Sequence, residues 1–296
     1  MPKKAGFVAI LGNPNVGKST LINTLIGANI SIVSSKPQTT RKEIVGILTK
    51  ETYQIVFLDT PGIIIPRYKL QEMMMSYIPQ SIASADLILM IFDFDKQNRN
   101  EFFPEQYEEL FKNITTPKFA VLNKIDLAKN KSYIIPVLNR INQINEFNEI
   151  IPISALKGEN LDELENTVVS YLPEHEFYYD ADSISTLNEK FFAAEIIRQV
   201  LFNKLSQELP YSTEVQIEEF KERQKGKWFI NASIICERPT QKQIIIGSNG
   251  EMIKEIGTTA RKEIEDFLGV PIFLELFVKV RENWRDNPTY LKSFGY

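Results

Sequence analysis

The eight residues Gly12-Asn13-Pro14-Asn15-Val16-Gly17-Lys18-Ser19 constrain this chain more than any other stretch. Two glycines with four residues between them, then Lys and Ser, let backbone N–H groups curl around an anion at the start of a helix. That reading requires a strand before the loop and a helix after it. Phe7-Val8-Ala9-Ile10-Leu11 is a branched apolar run of strand type. Thr20 to Ile26 has apolar residues at helical spacing, and Gly27 suits the C-cap. Lys18 would then reach the β- and γ-phosphates of a nucleotide, and the Ser19 hydroxyl would ligate Mg²⁺. Asn13, Asn15, Val16, Gly17 and Thr20 complete the expected phosphate cradle.

Length and composition narrow the setting. The 296 residues predict two domains, and 43% hydrophobic with 24% charged residues is ordinary for a soluble globular chain. A net charge of −4 does not advertise a nucleic-acid partner, so any such site must arise locally. The single Cys236 lies in an apolar run and reads as a buried thiol of a reducing compartment; the single His175 has no partner for zinc chemistry. No run of about 18 apolar residues marks a membrane span. The loop comes so early that no signal or transit peptide is expected.

Further along, Ser34 to Arg41 is polar and Pro-broken, a loop by composition. Ile44–Leu48 and Tyr53–Leu58 read as a hairpin, the second arm ending in Asp59-Thr60-Pro61-Gly62. A carboxylate at a buried strand tip beside a phosphate loop is well placed to hold Mg²⁺, and the Gly62 N–H can face a γ-phosphate. Met73-Met74-Met75 reads as the packing face of a helix. Leu87–Phe92 and Phe119–Leu122 have the continuous apolar character of buried parallel strands. Asn123-Lys124-Ile125-Asp126 follows the second of these, at the strand end where open α/β sheets bind ligands. Asp126 can accept from N1–H and the 2-amino group of guanine, and adenine offers neither hydrogen. The last strand, Ile150–Ile153, runs into Ser154-Ala155-Leu156, whose backbone N–H groups suit the guanine O6.

These five elements together resemble the Ras-like translation-factor class of GTPases. Within it, Gln38-Thr39-Thr40-Arg41 and Asp59-Thr60-Pro61-Gly62 are similar to the Era family. The resemblance implies a Ras-like GTPase domain in which Thr40, with Ser19 and Asp59, holds Mg²⁺ in the triphosphate state, and Lys18, Thr40 and Gly62 serve catalysis. Ile63 stands where Ras-type enzymes place a water-orienting glutamine, which implies slow intrinsic hydrolysis. Asn15 is either a K⁺ ligand, as in related cation-stimulated GTPases, or a loop hydrogen-bonder. Position 13 is commonly arginine in the family and is Asn13 here.

In the second half, Leu161–Leu172 reads as a helix stopped by Pro173, and residues 174–184 as an acidic, aromatic linker. Ser185–Leu209 has Leu187, Phe191, Ala194, Ile197, Leu201 and Leu205 at helical spacing, and two strands follow, Thr213–Glu218 and Lys227–Cys236. A short helix over 241–246, the loop Gly247-Ser248-Asn249-Gly250, a helix over 251–268 and a strand over 270–280 complete the order. Gly-x-x-Gly between two helices in this order resembles a type II KH domain, whose loop lets a sugar-phosphate chain approach while an apolar groove reads about four bases. Ile244, Ile245, Ile246 and Ile253 are groove candidates, though helix burial explains isoleucines equally well. Glu208-Leu209-Pro210-Tyr211-Ser212 and Val278 to Arg285 extend the Era resemblance over nearly the whole chain.

The middle of such loops often carries Lys or Arg, and here it carries Ser248-Asn249. Residues 185–296 hold sixteen Lys and Arg against sixteen Asp and Glu, so phosphate attraction must be local. Lys242, Lys254, Arg261, Lys279, Arg281 and Arg285 are the candidates, against the alternative of a solvated charged face. The expected fold is thus α/β: a GTPase domain over 1–173, the linker, and a smaller α+β KH domain over 185–296. The resemblance implies a cytoplasmic monomer that binds GTP, GDP, the 3′ end of 16S ribosomal RNA and the 30S subunit, with peripheral contact to the inner membrane. A regulatory GTPase whose second domain binds a protein or membrane surface is the rival; a nucleotide kinase is disfavoured, since no second substrate pocket is legible.

Overall fold

In the computed structural model, residues 2–34, 36–95, 111, 113–144 and 147–296 are described. Ser35, part of the polar loop expected over 34–41, lies outside them. The chain separates into two compact units: Met1–Ser31, Thr40–Arg67 and Gln71–Thr186 form one, and Ile32–Thr39, Tyr68–Leu70 and Leu187–Tyr296 the other.

The first unit is built on β1 (Lys4–Gly12), β2 (Ile44–Thr49), β3 (Tyr53–Asp59), β4 (Leu87–Asp93), β5 (Lys118–Asn123) and β6 (Glu149–Pro152). Among the described residues they form one sheet in the order β2-β3-β1-β4-β5-β6, parallel except for β2, which pairs antiparallel with β3 as the expected hairpin. All seven residues of β4 and all six of β5 are buried, which is why both read as continuous apolar runs. The register pairs Ile10 with Asp59, Gly12 with Ile91, Asp93 with Asn123, and Leu122 with Pro152. It therefore gathers the carboxyl ends of five strands at one edge, where α/β sheets hold ligands.

Helices α1 (Lys18–Ile26), α2 (Lys69–Ser84), α3 (Ile134–Ile144) and α4 (Leu161–Tyr171) accompany this sheet. Gly27 caps α1 in the left-handed conformation, as its position after the apolar run predicts. Met74 and Met75 are buried, so the Met-rich face of α2 is a packing face. The segment expected as a linker is strapped along the first unit. Buried Gln54 accepts from the Tyr178 and Tyr179 N–H groups and donates to Tyr179 O, and Ile47 N donates to Ile184 O. Acidic and aromatic composition reads as a connector, and backbone pairing of this kind leaves no trace in it.

The second unit comprises α5 (Glu189–Lys204), β7 (Glu214–Lys221), β8 (Trp228–Cys236), α6 (Pro239–Ile246), α7 (Glu251–Leu268), β9 (Ile272–Val280) and α8 (Pro288–Ser293). Its sheet runs β7-β8-β9, with β8 antiparallel to β7 and parallel to β9. Cys236 is buried, and burial pushes its thiol pKa up. Trp284, in the stretch that extended the resemblance, is an anchor: it is fully buried and its indole N–H donates to Ser212 O at 3.0 Å.

Helix α5 departs from its expected span and face. It begins after Asn188, whose side chain caps Phe191 N at 2.9 Å, and ends at Lys204. Phe192, Ala193, Arg198, Val200 and Phe202 are buried alongside Ile197 and Leu201. The physical reason is a second covering layer within the same unit. The Ile32–Thr39 segment lies against this helix, with Val33 N donating to Gln199 Oε1 and Lys36 Nζ donating to the Phe202 and Leu205 carbonyls at its C-terminal end. Burial pulls the pKa of the Arg198 guanidinium down, and the charge and hydrogen bonding of its partner Glu195 more than offset that, leaving it raised.

Candidate functional site

The loop between β1 and α1 is shaped by close approach. A Cβ on Gly17, at φ 99°, would stand 2.2 Å from Asn123 Nδ2. Gly62 is equally crowded, since a Cβ there would stand 2.8 Å from Pro14 Cα. The Ile63 N–H donates to Gly12 O at 3.1 Å, tying the Asp59–Gly62 turn to the loop. Lys18 is buried, with Nζ donating to Gly12 O at 3.0 Å and Asn13 O at 3.1 Å. Ile63 is a core residue, 2% exposed, so its side chain offers nothing to an attacking water.

Beneath the loop the three predicted metal ligands meet. Ser19 Oγ lies 3.0 Å from Asp59 Oδ2 and 3.1 Å from Thr40 Oγ1. Asp59 Oδ2 also accepts from Ser31 Oγ at 2.7 Å, while buried Oδ1 has no hydrogen-bond partner among the described residues. Burial pushes the Asp59 carboxyl above the ordinary range, outweighing the pull of Lys18 and of the Ser31, Ser19 and Thr40 hydroxyls. A buried carboxylate with one orphaned oxygen, beside two hydroxyls, is the donor set a hard divalent cation wants. The residues present fit Mg²⁺. Ser31 is a partner the sequence did not single out; it is polar and sits in an otherwise apolar run.

The base-reading tetrapeptide divides its labour. Buried Asn123 is a brace: Nδ2 donates to Val16 O at 2.8 Å, and Oδ1 accepts from Lys124 N at 2.8 Å and Ala155 N at 2.9 Å. One side chain thus joins the phosphate loop to the Ser154–Leu156 loop. Lys124, left-handed at φ 68°, donates from Nζ to Asn15 O at 2.8 Å and pairs with Asp93 at 2.7 Å. Asp93 was missed by sequence reading, and its only signal was a carboxylate at the tip of β4. Ser154 Oγ donates to Asp126 Oδ1 at 2.6 Å, which orients the carboxylate. A cavity of about 180 Å³ is lined by Gly17, Thr20, Asn123, Asp126, Ala155 and Leu156 among others. Asn13 and Asn15 lie in the phosphate loop itself, where Asn15 takes a left-handed φ of 65°.

The second unit holds the Gly-x-x-Gly loop between α6 and α7. Gly247 sits at φ 74° and ψ 176°, and a Cβ there would stand 2.7 Å from Met252 Cβ. Gly250, at φ 79°, faces open space and precedes the first turn of α7. Ser248 and Asn249 are exposed. Beside the loop a groove of about 350 Å³ runs between α7 and β9, lined by Ile253, Lys254, Arg261, Leu274 and Leu276 among others.

Of the predicted groove isoleucines, Ile253 lines this cavity. Ile245 is fully buried, Ile246 packs on the core and Ile244 is exposed. The helical period places residue 245 inward, so burial explains it, whereas Ile246 is half-buried beside the loop. The basic candidates also divide. Lys254 and Arg261 line the groove, whereas Lys279 pairs with Glu218, Arg285 pairs with Glu237, and Arg281 lies over the Tyr290 ring.

The comparisons agree with this geometry. Residues 7–124 match the family model described as 50S ribosome-binding GTPase, and residues 208–285 match the KH domain. The chain is 43% identical to the GTPase Era of Nitratidesulfovibrio vulgaris, covering 99% of this chain and 96% of that one. It is 44% identical to the GTPase Era of Clostridium botulinum, covering 99% and 98%. Aquifex aeolicus Era bound to GDP·AlF4⁻ superposes with a TM-score of 0.94 at 42% identity over 99% of each chain. Era in complex with MgGDPNP and nucleotides 1506–1542 of 16S ribosomal RNA superposes with a TM-score of 0.95 at 42% identity, again over 99% of each. A phosphate loop, a buried carboxylate with its hydroxyls, a braced base-reading tetrapeptide and a KH-type module, matched by relatives along the full chain, make this protein a member of the Era family of GTPases.

Proposed function

We propose that this protein binds and hydrolyses GTP, binds the 3′ end of 16S ribosomal RNA, and acts in assembly of the 30S subunit. The carrying observation is the full-length likeness to an Era bound at once to MgGDPNP and to 16S nucleotides 1506–1542. Residues 1–173 form the GTPase domain, 174–184 the connector and 185–296 the RNA-binding domain. Phosphoryl transfer needs positioning and charge neutralisation more than covalent chemistry. Lys18 carries one positive charge to the β- and γ-phosphates, and the loop amides of Asn13 to Thr20 surround them. Ser19, Thr40 and Asp59 hold Mg²⁺, which when bound neutralises charge on the phosphates. Gly62 turns its N–H to the γ-phosphate. Asp126, oriented by Ser154, reads the guanine edge, and Asn123, Lys124, Ala155 and Leu156 shape the base pocket. With Ile63 buried, the attacking water has no side chain at that position to orient it, so intrinsic turnover is slow.

Asn15 ligates K⁺ near the phosphates in this reading. Equal turnover in Na⁺ and K⁺ buffers would remove that role. On the RNA side, Ile246, Gly247, Ser248, Asn249 and Gly250 receive the sugar-phosphate chain, with Lys254, Arg261, Lys279 and Arg281 as cations. GTP favours the RNA-competent state, and RNA must then tighten GTP by the same factor. The protein acts as a cytoplasmic monomer touching the inner membrane peripherally, which vesicle sedimentation checks; among the described residues no helix is long and apolar enough to cross a membrane.

The test is to crosslink RNA to the purified protein, sequence what attaches, and compare RNA affinity with GDP and with a non-hydrolysable GTP analogue. Enrichment of the 16S 3′ end supports the reading. No single-stranded RNA affinity at moderate salt would instead favour a second domain that binds a protein or membrane, for which the half-exposed Phe273 and Phe277 on β9 offer a surface.

A further inference from the structure

Helix α7 runs for 18 residues, Glu251–Leu268, with Gly257 in its interior. An interior glycine weakens a helix relative to alanine, because it leaves the backbone freer to unfold. Glycine is usually required where a side chain would collide or where the backbone is left-handed. Neither holds here. A Cβ on Gly257 would meet only Leu276 Cδ1, at 3.5 Å, an ordinary contact. Gly247, ten residues earlier, is the contrasting case, with its backbone and Met252 both demanding glycine. Packing inside the unit therefore gives no reason for the missing side chain at 257.

What lies over Gly257 is the groove. The helix turns Ile256, Ala260 and Ile264 to the core, all fully buried. The neighbouring stripe, Ile253, Lys254, Gly257 and Arg261, forms one wall of the 350 Å³ space, and Leu274 and Leu276 of β9 form the other. Lys254 and Arg261 flank the glycine along the helix, about 10 Å apart along the axis. Neither makes an ion pair with a described residue. A flat apolar floor with a cation at each end matches an unpaired nucleobase between its two backbone phosphates. An acyl chain or an apolar peptide would leave both cations unmatched.

We propose that Gly257 is a specificity-determining residue of this groove: its missing Cβ lets a single unpaired ribonucleotide base lie flat against the α7 backbone, between Lys254 and Arg261. The inference rests on the RNA-binding reading above and names the position that admits the base.

The experiment measures anisotropy of a labelled RNA of 16S nucleotides 1506–1542 with wild type, Gly257→Ala and Gly257→Leu, alongside thermal melting and GTP affinity. Losing a base contact is worth about 1–3 kcal/mol, or roughly 5- to 150-fold. The alanine variant should melt no lower than wild type, keep its GTP affinity and bind RNA about tenfold more weakly; the leucine variant should bind more weakly still. The salt slope should stay unchanged in both, whereas Lys254→Ala or Arg261→Ala should lower it by about 1. If wild type binds and both glycine variants bind equally well, the role of Gly257 is wrong while the RNA-binding reading stands. If wild type itself does not bind, both fall. Gly257→Ala, for which the fold has room, keeps the test decisive should the leucine variant misfold.

Discussion

Replacing Asp59 by Asn should stabilise the nucleotide-free protein and cripple the liganded one. The carboxylate is 0% exposed, with Oδ2 accepting from Ser31 and Ser19 and Oδ1 accepting from nothing described. A buried acceptor left unsatisfied costs about 1–3 kcal/mol, and more when the group is charged. Because burial raises the folded-state pKa, the folded chain holds the proton more tightly than the unfolded one. The stability from this group is thus present below the ordinary value of 3.8 and lost as pH rises through the raised value. Near neutral pH the ionised form is a liability until a cation arrives. Asparagine keeps the shape and an acceptor oxygen without the charge.

In EDTA without nucleotide, at about pH 7.5, Asp59→Asn should melt roughly 3–6 °C above wild type, and the gap should close as the pH falls toward about 4. Adding Mg²⁺ and GTP should reverse the order. Ligand at a hundred times its Kd stabilises by about 2.7 kcal/mol, and only the chain that can hold the metal collects that gain. Differential scanning calorimetry over this pH range, with and without Mg·GTP, reads both arms. An asparagine variant that melts below wild type at every pH in EDTA would refute the reasoning.

Three further outcomes follow from the same geometry. Asn123→Ala removes three hydrogen bonds, two of them buried and joining the phosphate loop to residue 155; denaturant titration should show a loss of about 2–4 kcal/mol, with weaker GTP binding by calorimetry. Lys18→Ala should lower GTP affinity by about 10- to 100-fold while leaving RNA affinity in the nucleotide-free protein unchanged, since hydrogen bonds to charged groups contribute about 1.5–3 kcal/mol. Gly247→Ala meets both a glycine-only backbone and the Met252 contact. It should cost about 1–3 kcal/mol in the second unit's melting and weaken RNA binding with no change in GTP affinity.

How much of the site was legible depended on how local its physics is. The phosphate loop, the tetrapeptide 123–126 and the Asp59–Gly62 turn are contiguous, and each needs particular residue types at fixed spacing. Asp93, Ser31 and Gln54 were not legible. Each is an unremarkable polar residue whose role depends on a partner 28 or more positions away, Lys124 for Asp93, Asp59 for Ser31 and the 178–179 backbone for Gln54.

The sequence by itself determined that strands and helices alternate, that a phosphate loop opens the first of these units, and that a Gly-x-x-Gly turn separates two helices, because periodicity and turn chemistry are short-range. Only the tertiary structure decided that Asn123 braces the phosphate loop against the 154–156 loop, that the acidic 174–184 segment is strapped down, that Lys279 and Arg285 each meet a carboxylate, and that Gly257 has room it does not use. Those outcomes depend on which groups meet across the fold, and electrostatics and packing act on distance in space, which the order of residues along a chain does not state.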